Sequence, residues 1–172
     1  MSPGETIASL IRAKHGSFTH AEVVTLTGVR DETLQNWAKR KIINPAVAAP
    51  GRQGRREYSG RDLASICIGL KLVDLGLPPA QALPLGSRCI IDLTMSRLVS
   101  KGGLDGEWTI ADDVADLVQV LIGKLSAEGL LRVQLLTRAE LASLDVGFDP
   151  YIVLPFGQLV LDVAQRAAAL RA

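Results

Sequence analysis

Seven cations, Lys39, Arg40, Lys41, Arg52, Arg55, Arg56 and Arg61, crowd one segment whose single acid is Glu57. Just upstream stand two amides, Gln35 and Asn36. Guanidinium and ammonium groups neutralise phosphates, and side-chain amides can pair bidentately with adenine, so these residue types together suit a nucleic acid. Charge alone fits an ordinary solvated face equally well. The distribution along the chain adds weight to the polyanion. Residues 1–76 carry 11 Lys and Arg against 7 Asp and Glu, whereas residues 77–172 carry 8 against 11, within an overall net charge of +1. A basic patch in one half and an acidic remainder is the electrostatic footprint of a polyanion-binding module.

Other chemistries find little support. Cys67 and Cys89 stand alone without CxxC spacing, so two buried, reduced thiols are expected rather than a disulfide or zinc site. His15 and His20 have no serine or cysteine at a recognisable motif spacing. Asp112, Asp113 and Asp116 suit a helix N-terminus through the dipole, without a metal. Gly102-Gly103-Leu104-Asp105-Gly106 lacks the lysine of a phosphate loop and reads as a turn. The expectation is therefore a non-enzyme without metal or cofactor. There is no apolar run of about 18 residues, so no membrane span is expected. The opening Met1-Ser2-Pro3-Gly4-Glu5 has neither a basic nor an apolar segment, which leads to the expectation of a cytoplasmic, nucleoid-associated protein.

The elements that must position the basic segment follow from periodicity and caps. Ile7, Leu10 and Ile11 predict a short helix over Thr6–Lys14. Thr19 and Glu22 form a capping box for a second helix that Gly28 closes. Asp31 is the expected cap of a third, running to Lys41, with its cations at the C-terminal end. Ala46–Gly54 reads as loop and Arg55–Tyr58 as the return strand of a small hairpin. Ser59 and Asp62 cap a helix whose stripe is Leu63, Ile66, Cys67, Leu70 and Val73, ended by Gly76. Pro78-Pro79 opens a short helix that Pro84 is expected to close. Beyond it the sequence predicts a helix over Ser87–Ser100, an extended piece over Glu107–Ile110 and a long helix over Asp112–Glu128. A strand over Leu131–Leu136, a short helix capped by Thr137, a strand over Tyr151–Leu154 and a terminal helix complete the chain.

Taken in order, Phe18-Thr19, Gly28-Val29, Thr33-Leu34, Trp37, Pro45, Arg55-Arg56-Glu57-Tyr58-Ser59, Asp62-Leu63 and Gly76-Leu77 resemble the MerR-type winged helix–turn–helix family over roughly residues 17–85. The resemblance implies a DNA-binding transcriptional regulator, with the second helix of the motif in the major groove and a basic wing on the backbone. The implied DNA-contacting set is Thr19, Thr33, Gln35, Asn36, Trp37, Lys39, Arg40, Arg52, Arg55, Arg56 and Tyr58. For Trp37 two readings stand, core packing against Leu34 or contact with a phosphate; for Tyr58, a lid on the core or a phosphate donor. The chain also departs from the family. The recognition helix usually carries Arg-Thr-Leu-Arg and two aromatics, and here it reads Glu32-Thr33-Leu34-Gln35-Asn36-Trp37.

The expected fold class is mainly α, a winged helix–turn–helix followed by a small, helix-rich α/β domain. Expected boundaries are an N-terminal extension helix over 1–16, the DNA-binding domain over 17–86, and an oligomerisation or regulatory domain over 87–172. Double-stranded DNA is the expected partner, and a homodimer the expected species. Ser87–Ser100 is too short for the family's dimer coiled coil, so pairing falls to the C-terminal half, which is also where a protein partner would bind. The rival reading is a protein-interaction module with little DNA affinity, such as an antitoxin or a phage-type recruitment factor.

Overall fold

The computed structural model describes residues 1–13, 17–47, 56–101, 107–122, 132–145 and 151–171. Helix α1 covers Pro3–Arg12, three residues earlier than the apolar period alone indicates, because Ser2 and Glu5 form a capping box ahead of Pro3. Strand β1 (Phe18–Thr19) leads directly into α2 (His20–Thr27), and α3 spans Asp31–Lys39. Strands β2 (Ala46–Val47) and β3 (Arg56–Tyr58) join β1 in a three-stranded antiparallel sheet of order β1-β3-β2. Phe18 pairs with Tyr58, and Val47 with Arg56. Ala46–Val47 is thus strand where loop was expected, because β3 supplies a ladder that the sequence around Pro45 does not advertise. Residues 48–54 of the expected loop lie outside the described residues, as does Arg55 of the expected return strand.

Helix α4 (Gly60–Asp74) starts at the Ser59–Asp62 capping box, and Gly76, at φ 97°, follows its end. The next helix corrects the sequence reading. α5 runs unbroken over Pro79–Arg97, with Pro84 inside it, so it joins the two helices expected over 79–84 and 87–100. Proline removes the hydrogen bond to the carbonyl four residues back, that of Ala80. Ala80 and Pro84 are both exposed, so water can take that carbonyl, while Ala82, Leu83, Cys89, Ile90 and Leu93 are buried. Packing against α4 therefore outweighs the missing bond. Gly86 allows this close approach, since a Cβ there would lie 2.6 Å from the Ser65 carbonyl oxygen. The boundary expected at residues 85–86 falls within α5.

Strands β4 (Leu98–Lys101) and β5 (Glu107–Ile110) form an antiparallel pair. The long helix expected over Asp112–Glu128 is absent from its described part, which is a 3-10 turn over Asp112–Asp116 followed by strand β6 over Leu117–Ile122. Residues 123–128 lie outside the described residues. β6 is the central strand of a sheet of order β7-β6-β8, between β7 (Arg132–Thr137) and β8 (Tyr151–Leu154). Leu117 and Leu121 face the main core, while Val118 and Val120 pack on the other side with Leu136, Leu141 and Leu144. A strand buried on both faces reads as a continuous apolar run, and such a run carries helical spacings too. A short helix, α6 (Arg138–Leu141), begins at the Thr137–Glu140 capping box.

Helix α7 (Phe156–Ala169) closes the fold. It packs on α1, α4, α2, β6 and the 3-10 turn, and its Phe156, Val160, Leu161, Val163, Ala164 and Ala167 enter one core with Leu34, Trp37, Leu63 and Ile68. The result is a helix-rich helix–turn–helix module followed by a mixed α/β part whose last helix returns to the first.

Candidate nucleic-acid interface

Helices α2 and α3 form a helix–turn–helix whose geometry follows from local chemistry. The Thr19 amide donates to the Glu22 carboxylate at 2.6 Å and the Thr19 hydroxyl to the same oxygen at 2.8 Å. Both bonds favour the charged form and hold the Glu22 carboxyl below the usual carboxylate range, the backbone bond contributing most. Gly28 ends α2 in the left-handed region at φ 74°, with its N–H donating to the Val24 carbonyl, a conformation glycine adopts without a Cβ penalty. Arg30 occupies the N-cap position of α3 and makes no side-chain cap bond. Asp31, expected as that cap, is instead the first helical residue. There its carboxylate suits the dipole and is engaged by other side chains.

The spacing along α3 divides its residues. Leu34 and Trp37 are buried, Gln35 is half-buried, and Asn36, Lys39 and Arg40 are exposed. The helix ends in a Schellman motif. Ile42 N–H donates to the Trp37 carbonyl at 2.9 Å and Lys41 N–H to that of Ala38 at 3.2 Å, with Lys41 at φ 56° in the position usually given to glycine. Thr33, Asn36, Trp37 and Arg40 meet along a cleft of about 310 Å³ closed by Pro78, Pro79 and Ala80. Arg56 lies half-buried on β3, across the antiparallel pair from Val47. Arg52 and Arg55 lie outside the described residues.

Two members of the expected contact set belong to the interior. Trp37 is 5% exposed and Tyr58 1% exposed, so their rings build the core on which α3 and β3 rest. Both rings therefore take the packing role that was one of their two readings. Burial pushes the Tyr58 hydroxyl up to about 12. Thr19 acts as a helix cap, with its hydroxyl committed to Glu22.

Sequence reasoning passed over three residues that hold the module together. His20 Nε2 lies 2.8 Å from Asp31 Oδ1, and its Nδ1 lies 3.3 Å from the Tyr58 hydroxyl. Arg166 of α7 donates to the Leu26 carbonyl at 2.6 Å, at the end of α2. Arg171 donates to the Ser17 carbonyl and sits 4.3 Å from the centre of the Phe18 ring. A histidine at the first position of a capped helix could have been noticed, but its partners 11 and 38 residues away could not.

The interior contains further polar groups without an evident role in the interface. Cys67 and Cys89 are buried thiols, each pushed up by burial, Cys89 to about 11. Gln119 donates to Cys89 Sγ, and its buried Oε1 has no hydrogen-bond partner among the described residues. Among the described residues, no cluster of three or more His, Cys, Asp or Glu side chains could hold a metal ion. No described helix is long and apolar enough to cross a membrane.

A capped helix, a glycine turn, a second helix with cations at its end and an antiparallel pair leading into two packed helices define a helix–turn–helix module of nucleic-acid-binding type. Residues 18–83 match the family model of the MerR HTH family regulatory proteins. The N-terminal module is therefore a MerR-type helix–turn–helix, the module of a family of DNA-binding regulators. No curated protein matches the chain.

Proposed function

We propose that this protein is a sequence-specific DNA-binding transcriptional regulator that acts by binding and not by catalysis. α3 lies in the major groove and the β2–β3 segment forms a basic wing on the phosphate backbone. The observation that carries this reading is the division of α3. Leu34 and Trp37 anchor it, while Asn36, Lys39 and Arg40 are left exposed. Exposed cations set affinity and exposed amides set base preference. Residues 87–172 serve assembly or regulation, and the working species is a homodimer at the nucleoid. One module offers few base contacts, and two-fold pairing doubles them. The distal half of α5 buries Cys89, Ile90 and Leu93 within the subunit, which supports a pairing surface in the mixed α/β part.

Binding to random and selected duplexes across a range of salt concentrations tests the reading. Arg55→Gln with Arg56→Gln should weaken binding to every sequence and flatten the salt slope by about one for each phosphate no longer neutralised. Asn36→Ala should cost about 1–3 kcal/mol on the preferred site and little on random DNA. An unchanged salt slope in the double variant refutes the wing. Absence of salt-dependent duplex binding, with a tight protein partner instead, establishes the interaction-module reading.

A further inference from the structure

We infer that His20 is a positioning residue for base recognition, fixing which end of the Gln35 amide faces the DNA. The inference rests on the DNA-binding reading above. Four side chains form one relay across three elements. The buried Tyr58 on β3 meets His20 Nδ1 at 3.3 Å, His20 Nε2 meets Asp31 Oδ1 at 2.8 Å, and Asp31 Oδ2 accepts from Gln35 Nε2 at 2.6 Å. Tyr58 is fixed by the core, His20 is the first residue of α2, and Asp31 and Gln35 lie one turn apart on α3.

The donor and acceptor roles along the relay are complementary. The Asp31 carboxylate only accepts, so His20 Nε2 carries the proton towards it, and in the neutral ring Nδ1 is left to accept from the Tyr58 hydroxyl. The same restriction acts on Gln35. An amide has a donor end and an acceptor end, and a carboxylate accepts only from the donor end. One Nε2 hydrogen is therefore held by Asp31, and the flipped amide would place Oε1 against a carboxylate oxygen. Gln35 retains its Oε1 acceptor and a second Nε2 hydrogen. Those two groups are what pairing with adenine N6 and N7 requires.

Without the relay, Asp31 is an exposed residue on the first turn of α3, with its carboxylate free to swing into solvent. His20 is mostly shielded, with 23% of its side chain exposed against 55% for Asp31, so the histidine is the rigid member that holds the carboxylate in place. The recognition helix is in this way tied to α2 and to β3 by side chains 11 and 38 residues apart.

A double-mutant cycle read on base discrimination tests this. A preferred duplex is first obtained by selection from random DNA, and the position whose preference Gln35→Ala removes is taken as the one Gln35 reads. His20→Ala should reduce discrimination at that position by about twofold to twelvefold, the equivalent of re-ordering one side chain on binding. Affinity for random duplex should change less than about twofold, as expected when every phosphate contact is kept. In the His20→Ala background, Gln35→Ala should add little more, because the two residues act as one unit. Asp31→Asn, which presents both a donor and an acceptor and so permits the flipped amide, should reproduce the loss without removing the side chain. His20→Gln, which keeps a donor towards Asp31, should restore part of it. Additive losses in the cycle, or equal weakening on preferred and random duplexes, overturn the inference while leaving the DNA-binding reading intact. A wild-type protein with no salt-dependent duplex binding overturns both.

Discussion

Replacing Phe156 by Ala tests whether the helix–turn–helix stands alone or shares its stability with the end of the chain. Phe156 opens α7 and is fully buried, in the same apolar cluster as Leu34 and Trp37. Removing a buried phenyl ring costs about 3–5 kcal/mol through forfeited transfer energy and the cavity left behind. That is a large share of the roughly 5–15 kcal/mol available to a domain. For a chain of this size each kcal/mol lowers the melting midpoint by about 2–4 °C, so the expected drop is about 6–20 °C. The assay uses the two tryptophans, Trp37 in α3 and Trp108 in β5. In a Trp108→Phe background the remaining indole reports the helix–turn–helix alone, while far-ultraviolet circular dichroism reports all helices. If α7 and the module unfold together, both signals shift by the same amount. An unchanged Trp37 midpoint, with a separate early loss of ellipticity, would refute the shared core and allow an independent module ending near residue 86.

Two further expectations concern pH. Thr19→Ala removes the hydroxyl bond that helps hold the Glu22 carboxyl low, keeps the backbone bond that contributes most, and should cost about 1 kcal/mol at neutral pH. Because the folded-state value is depressed, that stability is present above the ordinary carboxylate range and lost as pH falls through the folded value. The gap between wild type and Thr19→Ala in thermal melts should therefore narrow in acid, and a constant gap would remove the charge from the explanation. Tyr58 has the opposite sign. Its hydroxyl is raised from 10.0 to about 12, so its contribution is complete below about 10 and is lost as pH rises towards 12. Wild type should lose about 2–3 kcal/mol more than Tyr58→Phe across that window, on the scale of 1.36 kcal/mol per unit. Parallel alkaline unfolding curves would contradict the burial argument.

Much of the interface was legible because it is local. Thr19–Glu22, Ser59–Asp62 and Thr137–Glu140 are three-residue spacings, and each forms the box that its sequence implies. Gly28 and Gly76 take the left-handed conformations that turns require. The outward position of Asn36, Lys39 and Arg40 follows from the helical period once Leu34 and Trp37 are given to the core. The side chains that set the register of these parts were not legible. His20 finds Asp31 and Tyr58, and Arg166 finds Leu26 across 140 residues, only because packing brings their elements together.

The same distinction explains the corrections. Nothing in Leu117–Ile122 distinguishes a central strand from a helix until β7 and β8 flank it and both faces are covered. Pro84 is a helix breaker by intrinsic preference, and it is tolerated because α4 holds the buried face of α5 while Ala80 and Pro84 lie on its exposed side. Short-range geometry, the caps, turns and charge of the recognition module, was determined by the sequence by itself, since those energies act within one helical turn. The partnership of α7 with α1, α2 and α4, and the tie from His20 to Asp31 of α3, were decided by the tertiary structure, since burial and hydrogen bonding between distant residues arise only when the whole core closes.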